Sequence, residues 1–271
     1  MTNTPLSTLL NELRIVALDA GKAILDVYED EAFKVSEKAD SSPVTEADTR
    51  AEAVILEALA RIEPDTPVIS EEAVAGGKKP VRHERFFLVD PLDGTKEFIK
   101  RNGEFTVNIA LIDHGRAIAG IVLAPAIGKL YSGAEEEAFA QEVDPVELGK
   151  HGGSAKLSVP RSIRARRPPA DGMVAVASRS HRDPQTDEFL RAHGVTKIVS
   201  AGSSLKFCLV AAGEADLYPR HGTTMEWDTA AGQAVLEAAG GSVSETGGSP
   251  LRYGKFDVGL VNPHFIARGR S

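Results

Sequence analysis

The distribution of apolar residues along the chain predicts two N-terminal helices and a buried strand. Apolar positions recur at helical spacing from Leu6 to Val27, so we expect this helix to lay one face on a core. A second helical pattern covers Val54 to Ala60 and follows Thr45, whose hydroxyl is expected to cap it. The short run from Phe86 to Val89 is continuously apolar and ends in turn-forming residues, which is typical of a buried strand.

The next segment predicts an antiparallel meander. Three strand patterns follow one another: Phe105 to Ile112, Ala117 to Leu123, and Lys129 to Tyr131. This arrangement predicts that the turn after Val89 lies at one edge of a sheet. Residues 133–172 show no periodic pattern and are predicted to be irregular. Within them, the arginine-rich stretch 161–169 is predicted to be an exposed connector, and attraction of phosphates is the alternative.

The second half of the chain alternates between strands and helices, which indicates an α/β layer. The strand patterns are Met173 to Ala177, Thr196 to Ser200, Ala215 to Tyr218 and Gly254 to Val261. The helical patterns are Asp187 to His193, Leu205 to Ala212 and Ala230 to Ala239. We therefore predict an N-terminal α+β part, residues 1–150, and a C-terminal α/β part, residues 151–271.

Composition and charge narrow the classes of protein. The 271 residues are 42% hydrophobic and 26% charged, which is ordinary for a globular protein of one large domain or two packed halves. A net charge of −8 argues against a general nucleic-acid binder but is compatible with a nucleotide bound in a local cationic pocket. The single cysteine, Cys208, excludes an internal disulfide and fits a reducing compartment. Because no signal peptide or membrane-spanning run is recognised, we expect a cytoplasmic protein and leave open peripheral contact with the inner membrane.

Candidate metal chemistry lies directly after the continuously apolar strand. Asp90 and Asp93 flank Pro91, which has no N–H and leaves the Leu92 carbonyl free to face outward. Gly94 permits a tight backbone turn and bares amides that suit a phosphate. Two carboxylates and a carbonyl on one turn form a hard-oxygen site suited to Mg²⁺. The alternative is an ordinary Asx-type turn, because Asp, Pro and Gly are the commonest turn residues.

Other acidic positions have both a structural and a functional interpretation. Asp48 falls in the first turn of the second helix, where a carboxylate complements the helix dipole. Glu71 and Glu72 follow a short apolar strand, so one of them can point into a site while adjacent glutamates are usually solvated surface. Asp228 immediately precedes the last predicted helix, where it can act as an N-cap, as a metal ligand, or as both.

The order of these motifs is more specific than any one of them. A Glu-Glu pair at a strand end is followed by Asp-Pro-Leu-Asp-Gly-Thr at 90–95 and by Trp-Asp-Thr-Ala-Ala-Gly at 227–232. This order resembles the Mg²⁺-dependent, lithium-sensitive phosphatase superfamily that includes inositol monophosphatase and fructose-1,6-bisphosphatase, and the resemblance covers nearly the whole chain. Within the superfamily, the stretches 90–110, 202–208, 216–220 and 226–228 are most similar to the CysQ-type 3′(2′),5′-bisphosphate nucleotidases.

The resemblance implies a fold and a set of site residues. The implied fold is an α/β, five-layer αβαβα sandwich, with an antiparallel or mixed sheet in the first half and a smaller α/β layer in the second. The implied ligands of two or three Mg²⁺ are Glu71, Asp90, the Leu92 carbonyl, Asp93 and Asp228. The implied catalytic residues are Asp48, Glu71 and Thr95, and the pair Asp48 and Thr95 orients or deprotonates the attacking water. The implied substrate contacts are Glu71, Leu92, Asp93, Gly94, Thr95, His181, Ser203, Lys206, Arg220 and Asp228.

The function implied by the resemblance is hydrolysis of adenosine 3′,5′-bisphosphate to AMP and phosphate, with 3′-phosphoadenylyl sulfate as a second candidate substrate. The implied physiological role is to remove adenosine 3′,5′-bisphosphate, a by-product of sulfate assimilation. Positive charge at Lys206 and Arg220 favours a substrate with a second phosphate, and solvated surface cations are the alternative. The rival hypotheses are an inositol or sugar monophosphatase on the same fold and a non-catalytic nucleotide-sensing module. We expect a small-molecule partner, no nucleic-acid polymer, and either a monomer or a homodimer.

Overall fold

The computed structural model describes residues 5–30, 35–37, 43–178 and 184–270. The predicted substrate contact His181 lies outside these ranges. The helices are α1 Leu6–Tyr28, α2 Glu46–Ile62, α3 Glu71–Ala75, α4 Thr95–Ile99, α5 Pro145–His151, α6 Pro184–Ala192, α7 Leu205–Ala211 and α8 Ala230–Ala238. The first strands are β1 Val35–Glu37, β2 Pro43–Thr45, β3 Val68–Ser70, β4 Arg85–Asp93, β5 Thr106–Asp113, β6 Arg116–Ala124 and β7 Lys129–Ala134. The remaining strands are β8 Glu137–Glu142, β9 Arg161–Ser162, β10 Met173–Ser178, β11 Val195–Ala201, β12 Leu217–Arg220, β13 Ser242–Glu245 and β14 Phe265–Arg268.

The helices and the two larger sheets form five layers, which confirms the predicted αβαβα architecture. Helices α1 and α2 pack on one face of a seven-stranded sheet, and α8 packs on its other face. Helix α7 lies beside α8 and contacts β10 and β12 of a five-stranded sheet. Helix α6 contacts β11 and β12 of that same sheet and forms the outer layer. The division into parts at residues 1–150 and 151–271 stays a prediction.

The seven-stranded sheet has the order β3-β4-β5-β6-β7-β8-β9. Strands β3 and β4 run parallel, and every later neighbour pair is antiparallel, so the sheet is mixed as predicted. The expectation that the turn after Val89 lies at the sheet edge is wrong. Strand β4 is an interior strand because β3 pairs with it on the outer side, and the turn residues occupy one end of β4.

Strand β4 shows why its sequence is continuously apolar. Phe86 and Leu88 belong to the core between the two sheets, whereas Phe87 and Val89 belong to the core under α1 and α2. All four side chains are at most 1% exposed. Because successive side chains of a strand point to opposite faces, a strand covered on both faces has no polar positions. The candidate site therefore begins at the end of a rigid, fully buried strand.

The prediction that residues 133–172 are irregular is wrong. This segment completes β7 and contains β8, α5 and β9. Strand β8 was missed because its buried positions include the polar Gln141. Most residues of the predicted exposed connector at 161–169 are exposed, but Ile163 and Ala165 are buried in the core. Arg166 Nε and Nη2 donate to the two carboxylate oxygens of Asp216 at 2.8 and 2.9 Å, so this arginine binds an internal carboxylate.

The five-stranded sheet has the order β11-β10-β12-β14-β13, with parallel pairs on one side and antiparallel pairs on the other. The last strand is β14, so the expected strand from Gly254 to Val261 is wrong. The backbone there is instead fixed by the buried carboxylate of Glu226, which accepts from the amides of Gly254 and Lys255 at 2.8 and 2.9 Å. In the described part of the chain, none of the helices combines the length and apolar character required to cross a membrane.

Candidate active site

The turn at the end of β4 carries two of the candidate ligands, Asp90 and Asp93. Asp90 is 1% exposed, and its Oδ1 accepts a hydrogen bond from the Leu92 amide at 3.0 Å. The pairing of β4 with β5 is interrupted between Asp90 and Asp93, and such a bulge re-aims the side chains that follow it. Gly94 then has φ 94°, a left-handed conformation that glycine adopts without strain. The Asx-type contact and the candidate metal geometry therefore coexist on this turn.

Three carboxylates converge at this turn from separate parts of the chain. One oxygen each from Glu71, Asp90 and Asp228 lies within 4.8 Å of the others. Glu71 is the first residue of α3, and Asp228 precedes α8, so two chain-distant helices bring acids to the end of β4. Asp93 lines the same cavity, and the Asn108 side-chain amide lies 3.5 Å from its Oδ2.

The pKa values of two of these acids are raised by burial and by the charge of neighbouring carboxylates. Burial, helped by the neighbouring Glu71 and Glu97 and opposed by Lys206, raises the pKa of Asp93 to about 6. Burial, followed by the charge of Asp93, also raises the pKa of Asp228 well above its ordinary value. Oxygen ligands gathered in this way suit a hard divalent cation, which would balance the charge. The donor set therefore fits Mg²⁺.

Asp48 has both of the roles considered for it. Its Oδ2 accepts from the Thr45 amide at 2.8 Å and from the Thr45 hydroxyl at 2.7 Å, which forms the predicted capping box at the start of α2. Its Oδ1 accepts from the hydroxyl of Thr95 at 3.3 Å. Thr95 lines the cavity, whereas Asp48 is 1% exposed. The capping box therefore holds the Asp48 carboxylate in hydrogen-bond contact with the Thr95 hydroxyl, which lines the cavity.

Lys206 and Arg220 line the cavity together with the acids, and a third cation, Lys96, lines it with an exposed side chain. Lys206 is 6% exposed, and its Nζ donates to the carbonyl oxygens of Ser203 at 2.6 Å and Ala201 at 3.5 Å. Burial lowers the pKa of Lys206 to about 8. Arg220 donates through Nη2 to the Thr223 carbonyl at 3.2 Å, and its buried Nε has no partner. Arg220 therefore retains donor capacity for an anion.

The cavity has a volume of about 300 Å³ and collects nearly all of the predicted residues. The predicted residues that line it are Glu71, Asp90, Leu92, Asp93, Gly94, Thr95, Ser203, Lys206, Arg220 and Asp228. The expectation that Asp228 caps α8 is wrong, because Thr229 occupies the N-cap position and the Asp228 carboxylate accepts from the Met225 amide at 2.8 Å. The roles of these residues as ligands and substrate contacts stay predictions.

Some residues of the site were not identified from the sequence. Glu97 is 6% exposed and lines the cavity beside the candidate ligands. Glu52 lies one helical turn after Asp48 on α2, and its Oε1 accepts from the Ser70 hydroxyl and from the Ala73 amide. Glu52 therefore fastens α3, which carries Glu71, to α2. The spacing of four residues on one helix was the available signal for Glu52, whereas Glu97 carried none.

Comparison with known proteins places the whole chain in one family. The model of the inositol monophosphatase family matches residues 6–268. The chain is 48% identical to the 3′(2′),5′-bisphosphate nucleotidase CysQ of Shigella flexneri over 258 residues, covering 95% of this chain and 98% of that protein. It is 47% identical to the nucleotidase of the same name from Escherichia coli strain K12, with the same coverage.

Solved structures agree with this assignment. The crystal structure of CysQ from Bacteroides thetaiotaomicron, described as a bacterial member of the inositol monophosphatase family, matches with a TM-score of 0.77 and 39% identity over 98% of each chain. An inositol monophosphatase from Anabaena matches with a TM-score of 0.72 and 26% identity, covering 99% of this chain and 93% of that one. The chain belongs to the inositol monophosphatase family.

Proposed function

We propose that the protein is a metal-dependent phosphomonoesterase that hydrolyses adenosine 3′,5′-bisphosphate to AMP and inorganic phosphate. The observation that carries this proposal is one cavity that is lined both by a cluster of carboxylates and by the cationic side chains of Lys206 and Arg220. The names of the 48% and 47% identical relatives, both 3′(2′),5′-bisphosphate nucleotidases, support the same substrate class. Lithium sensitivity and a role in sulfur metabolism, which are typical of these enzymes, are part of the proposal.

The carboxylates that line the cavity would hold the metal. We assign two or three Mg²⁺ to Glu71, Asp90, the Leu92 carbonyl, Asp93 and Asp228. When bound, Mg²⁺ neutralises phosphate charge and lowers the pKa of water. The structure supports this set because three of the carboxylates already lie within 4.8 Å of one another.

Asp48 and Thr95 would accept the proton of the attacking water. The Thr95 hydroxyl donates to the Asp48 carboxylate at 3.3 Å, which leaves the hydroxyl lone pairs free to accept from an attacking water. As the water attacks phosphorus, its proton passes to this pair and the bond to the ribose 3′-oxygen breaks in line. The departing oxygen takes a proton from a second water molecule and becomes the 3′-hydroxyl of AMP, and the pair returns its proton to solvent. We assign the backbone amides of Gly94 and Thr95, which line the cavity, to contact with the scissile phosphate. Glu71 is assigned to both metal binding and proton handling.

The cationic residues and their neighbours in the cavity lining would hold the second phosphate and the nucleoside. An ammonium has three donors, and Lys206 directs two of them to backbone carbonyls, so at most one faces a ligand. Arg220 has a buried Nε without a partner and a planar guanidinium suited to bidentate phosphate contact. We therefore assign direct phosphate contact chiefly to Arg220, with Lys206 contributing charge. Ser203 and His181 complete the proposed nucleotide side, and His181 lies outside the described residues.

We also propose a second substrate, a cellular location and an oligomeric state. 3′-Phosphoadenylyl sulfate is proposed as a second substrate, because it carries the same 3′-phosphate and a second anionic group. A cytoplasmic location and a monomeric or homodimeric state are proposed in the same sense. The alternative activity is an inositol or sugar monophosphatase on the same fold, which would have no need of Lys206 and Arg220 in the cavity lining.

Product analysis in isotopically labelled water tests this proposal. With Mg²⁺ and adenosine 3′,5′-bisphosphate in H₂¹⁸O, we expect 5′-AMP and one ¹⁸O in the inorganic phosphate. The variant Lys206→Ala should raise KM for the bisphosphate far more than KM for adenosine 3′-monophosphate. Lys150→Ala, which removes an exposed lysine on α5, is the matched control and should change neither. Formation of 3′-AMP, or equal effects of Lys206→Ala on both substrates, would contradict the assigned orientation.

A further inference from the structure

The turn between β11 and α7, residues 202–204, is hydrogen-bonded to the backbone of two candidate ligands; we call it the serine turn. Ser203 Oγ lies 2.8 Å from the Asp93 carbonyl oxygen and 3.0 Å from the Glu104 carbonyl oxygen. Ser204 is 1% exposed, and its Oγ donates to the Asp228 carbonyl oxygen at 2.8 Å. Two adjacent hydroxyls therefore contact two ligand-bearing segments that come from opposite halves of the chain.

The serine turn is packed against the β4 turn without spare room. A Cβ added at Gly94 would lie 2.3 Å from Ser203 Oγ, and a Cβ at Gly202 would lie 2.4 Å from the Glu104 carbonyl oxygen. Ser203 itself has φ 48°, a left-handed conformation that is unfavourable for a residue with a Cβ. A strained residue persists where its surroundings determine its position, and the surroundings of Ser203 are the candidate metal site.

The serine turn is also hydrogen-bonded to Lys206. Lys206 Nζ donates to the Ser203 carbonyl oxygen at 2.6 Å, so Ser203 contacts the Asp93 backbone through its hydroxyl and the Lys206 ammonium through its carbonyl. A change in the position of Ser203 would therefore affect both a candidate ligand and a cation of the cavity.

Ionised carboxylates repel one another, so their spacing must be imposed by the backbone that carries them. The hydroxyls of Ser203 and Ser204 contact that backbone directly, at Asp93 and at Asp228. We propose that Ser203 and Ser204 are positioning residues that fix the separation of Asp93 and Asp228 and thereby set the affinity for the divalent cation. This inference rests on the proposed function for the nature of the cation, and it gives Ser203 a role beyond substrate contact.

Direct metal binding tests the inference without reference to turnover. Mn²⁺ shares the preference of Mg²⁺ for oxygen ligands, and the free ion is counted by its electron paramagnetic resonance signal. We expect Ser204→Ala and Ser203→Ala to raise the Kd for Mn²⁺ about three- to tenfold, the effect of losing one hydrogen bond. Ser132→Ala is the matched control, because Ser132 is also 1% exposed and its hydroxyl accepts a hydrogen bond from Arg14 at 2.8 Å. Ser132 is not one of the residues that line the cavity. Its Kd should stay within about twofold of the wild-type value.

The variant Ser203→Gly separates positioning from general stability. Glycine relieves the left-handed backbone of residue 203 while it removes the hydroxyl. We therefore expect Ser203→Gly to unfold at the wild-type temperature or higher and yet to bind Mn²⁺ more weakly. A role in stability alone would instead make affinity follow unfolding temperature across the variants.

The outcomes distinguish this inference from the proposed function. Wild-type affinity in Ser203→Gly and Ser204→Ala would overturn the positioning role and leave the metal site intact. Absence of Mn²⁺ binding by the wild-type protein would overturn the proposed function and this inference together. Should Ser204→Ala fail to fold, Ser203→Gly alone decides, because glycine suits the backbone at that position.

Discussion

Replacing Asp93 with Asn is expected to stabilise the metal-free protein while it abolishes catalysis. The ordinary pKa of an aspartate, 3.8, is raised to about 6 at Asp93 by burial and by Glu71 and Glu97. A rise of about 2 in pKa, at about 1.4 kcal/mol for each, means that ionised Asp93 costs the folded state about 3 kcal/mol. Asp93 is only half-buried, so solvent screens part of this cost, and we expect Asp93→Asn to gain about 1–3 kcal/mol.

The pH dependence of this gain follows from the direction of the change in pKa. A folded-state pKa raised above the unfolded value gives stability that is present below the unfolded pKa and is lost as pH rises through the folded pKa. Asp93 therefore penalises the metal-free protein fully above about pH 6 and hardly at all below about pH 4. The advantage of Asp93→Asn should be present at neutral pH and absent in acid.

Denaturant unfolding in EDTA, at about pH 7.5 and about pH 4, measures both expectations. Asp216→Asn is the matched control, because Asp216 is buried but paired with Arg166 at 2.8 and 2.9 Å. The same chemical change there should destabilise the protein by about 1–3 kcal/mol. Added Mg²⁺ should stabilise the wild-type protein more than Asp93→Asn. The reasoning is refuted if Asp93→Asn is less stable than wild type in EDTA at neutral pH, or if its gain is the same at both pH values.

Three further predictions concern the rest of the cavity. Gly94→Ala should lose about 2 kcal/mol or more of stability and most of its turnover, measured by unfolding and phosphate release, because φ is 94° and the new Cβ would lie 2.3 Å from Ser203 Oγ. Asp48→Asn should lower kcat by about 10²–10⁴ with Mn²⁺ affinity nearly unchanged, and loss of metal binding would contradict its role in proton handling. KM for the bisphosphate should rise above about pH 8 as Lys206 loses its charge, and Lys206→Met, which removes the titrating group, should abolish this rise; persistence of the rise would assign it to another group.

Much of the fold could be predicted from the sequence because its main elements are periodic and long. Helix α1 and strands β4 to β6 have clear apolar patterns, and the structure forms them within a few residues of the predicted bounds. Helices α3 and α4 have five residues each, too few for a helical period to appear. Strand β8 was hidden by its buried Gln141. The sequence does carry a signal for the start of helix α5: Asp144, whose side chain caps the helix, is followed by Pro145 in its first turn.

The candidate site was also predictable in part. The acids of the β4 turn, with Asp48, Glu71 and Asp228, could be identified because they lie at the ends of predictable elements. What could not be predicted depends on contacts between distant parts of the chain. The burial of Lys206 against the Ser203 carbonyl is one such contact, and the approach of Ser203 to the Asp93 carbonyl is another. Lys206 is therefore not the solvated surface cation that was one of its two interpretations, and two of its three donors are engaged by backbone carbonyls.

Phosphate release from adenosine 3′,5′-bisphosphate and from inositol 1-phosphate, each with Mg²⁺ and with added Li⁺, tests the central claim most directly. The account predicts a strong preference for the nucleotide, activity that requires Mg²⁺, and inhibition by Li⁺. Preference for the inositol ester would retain the metal site and contradict the assigned roles of Lys206 and Arg220. Absence of release from both esters, by a protein that still binds the bisphosphate, would contradict catalysis and indicate a nucleotide sensor.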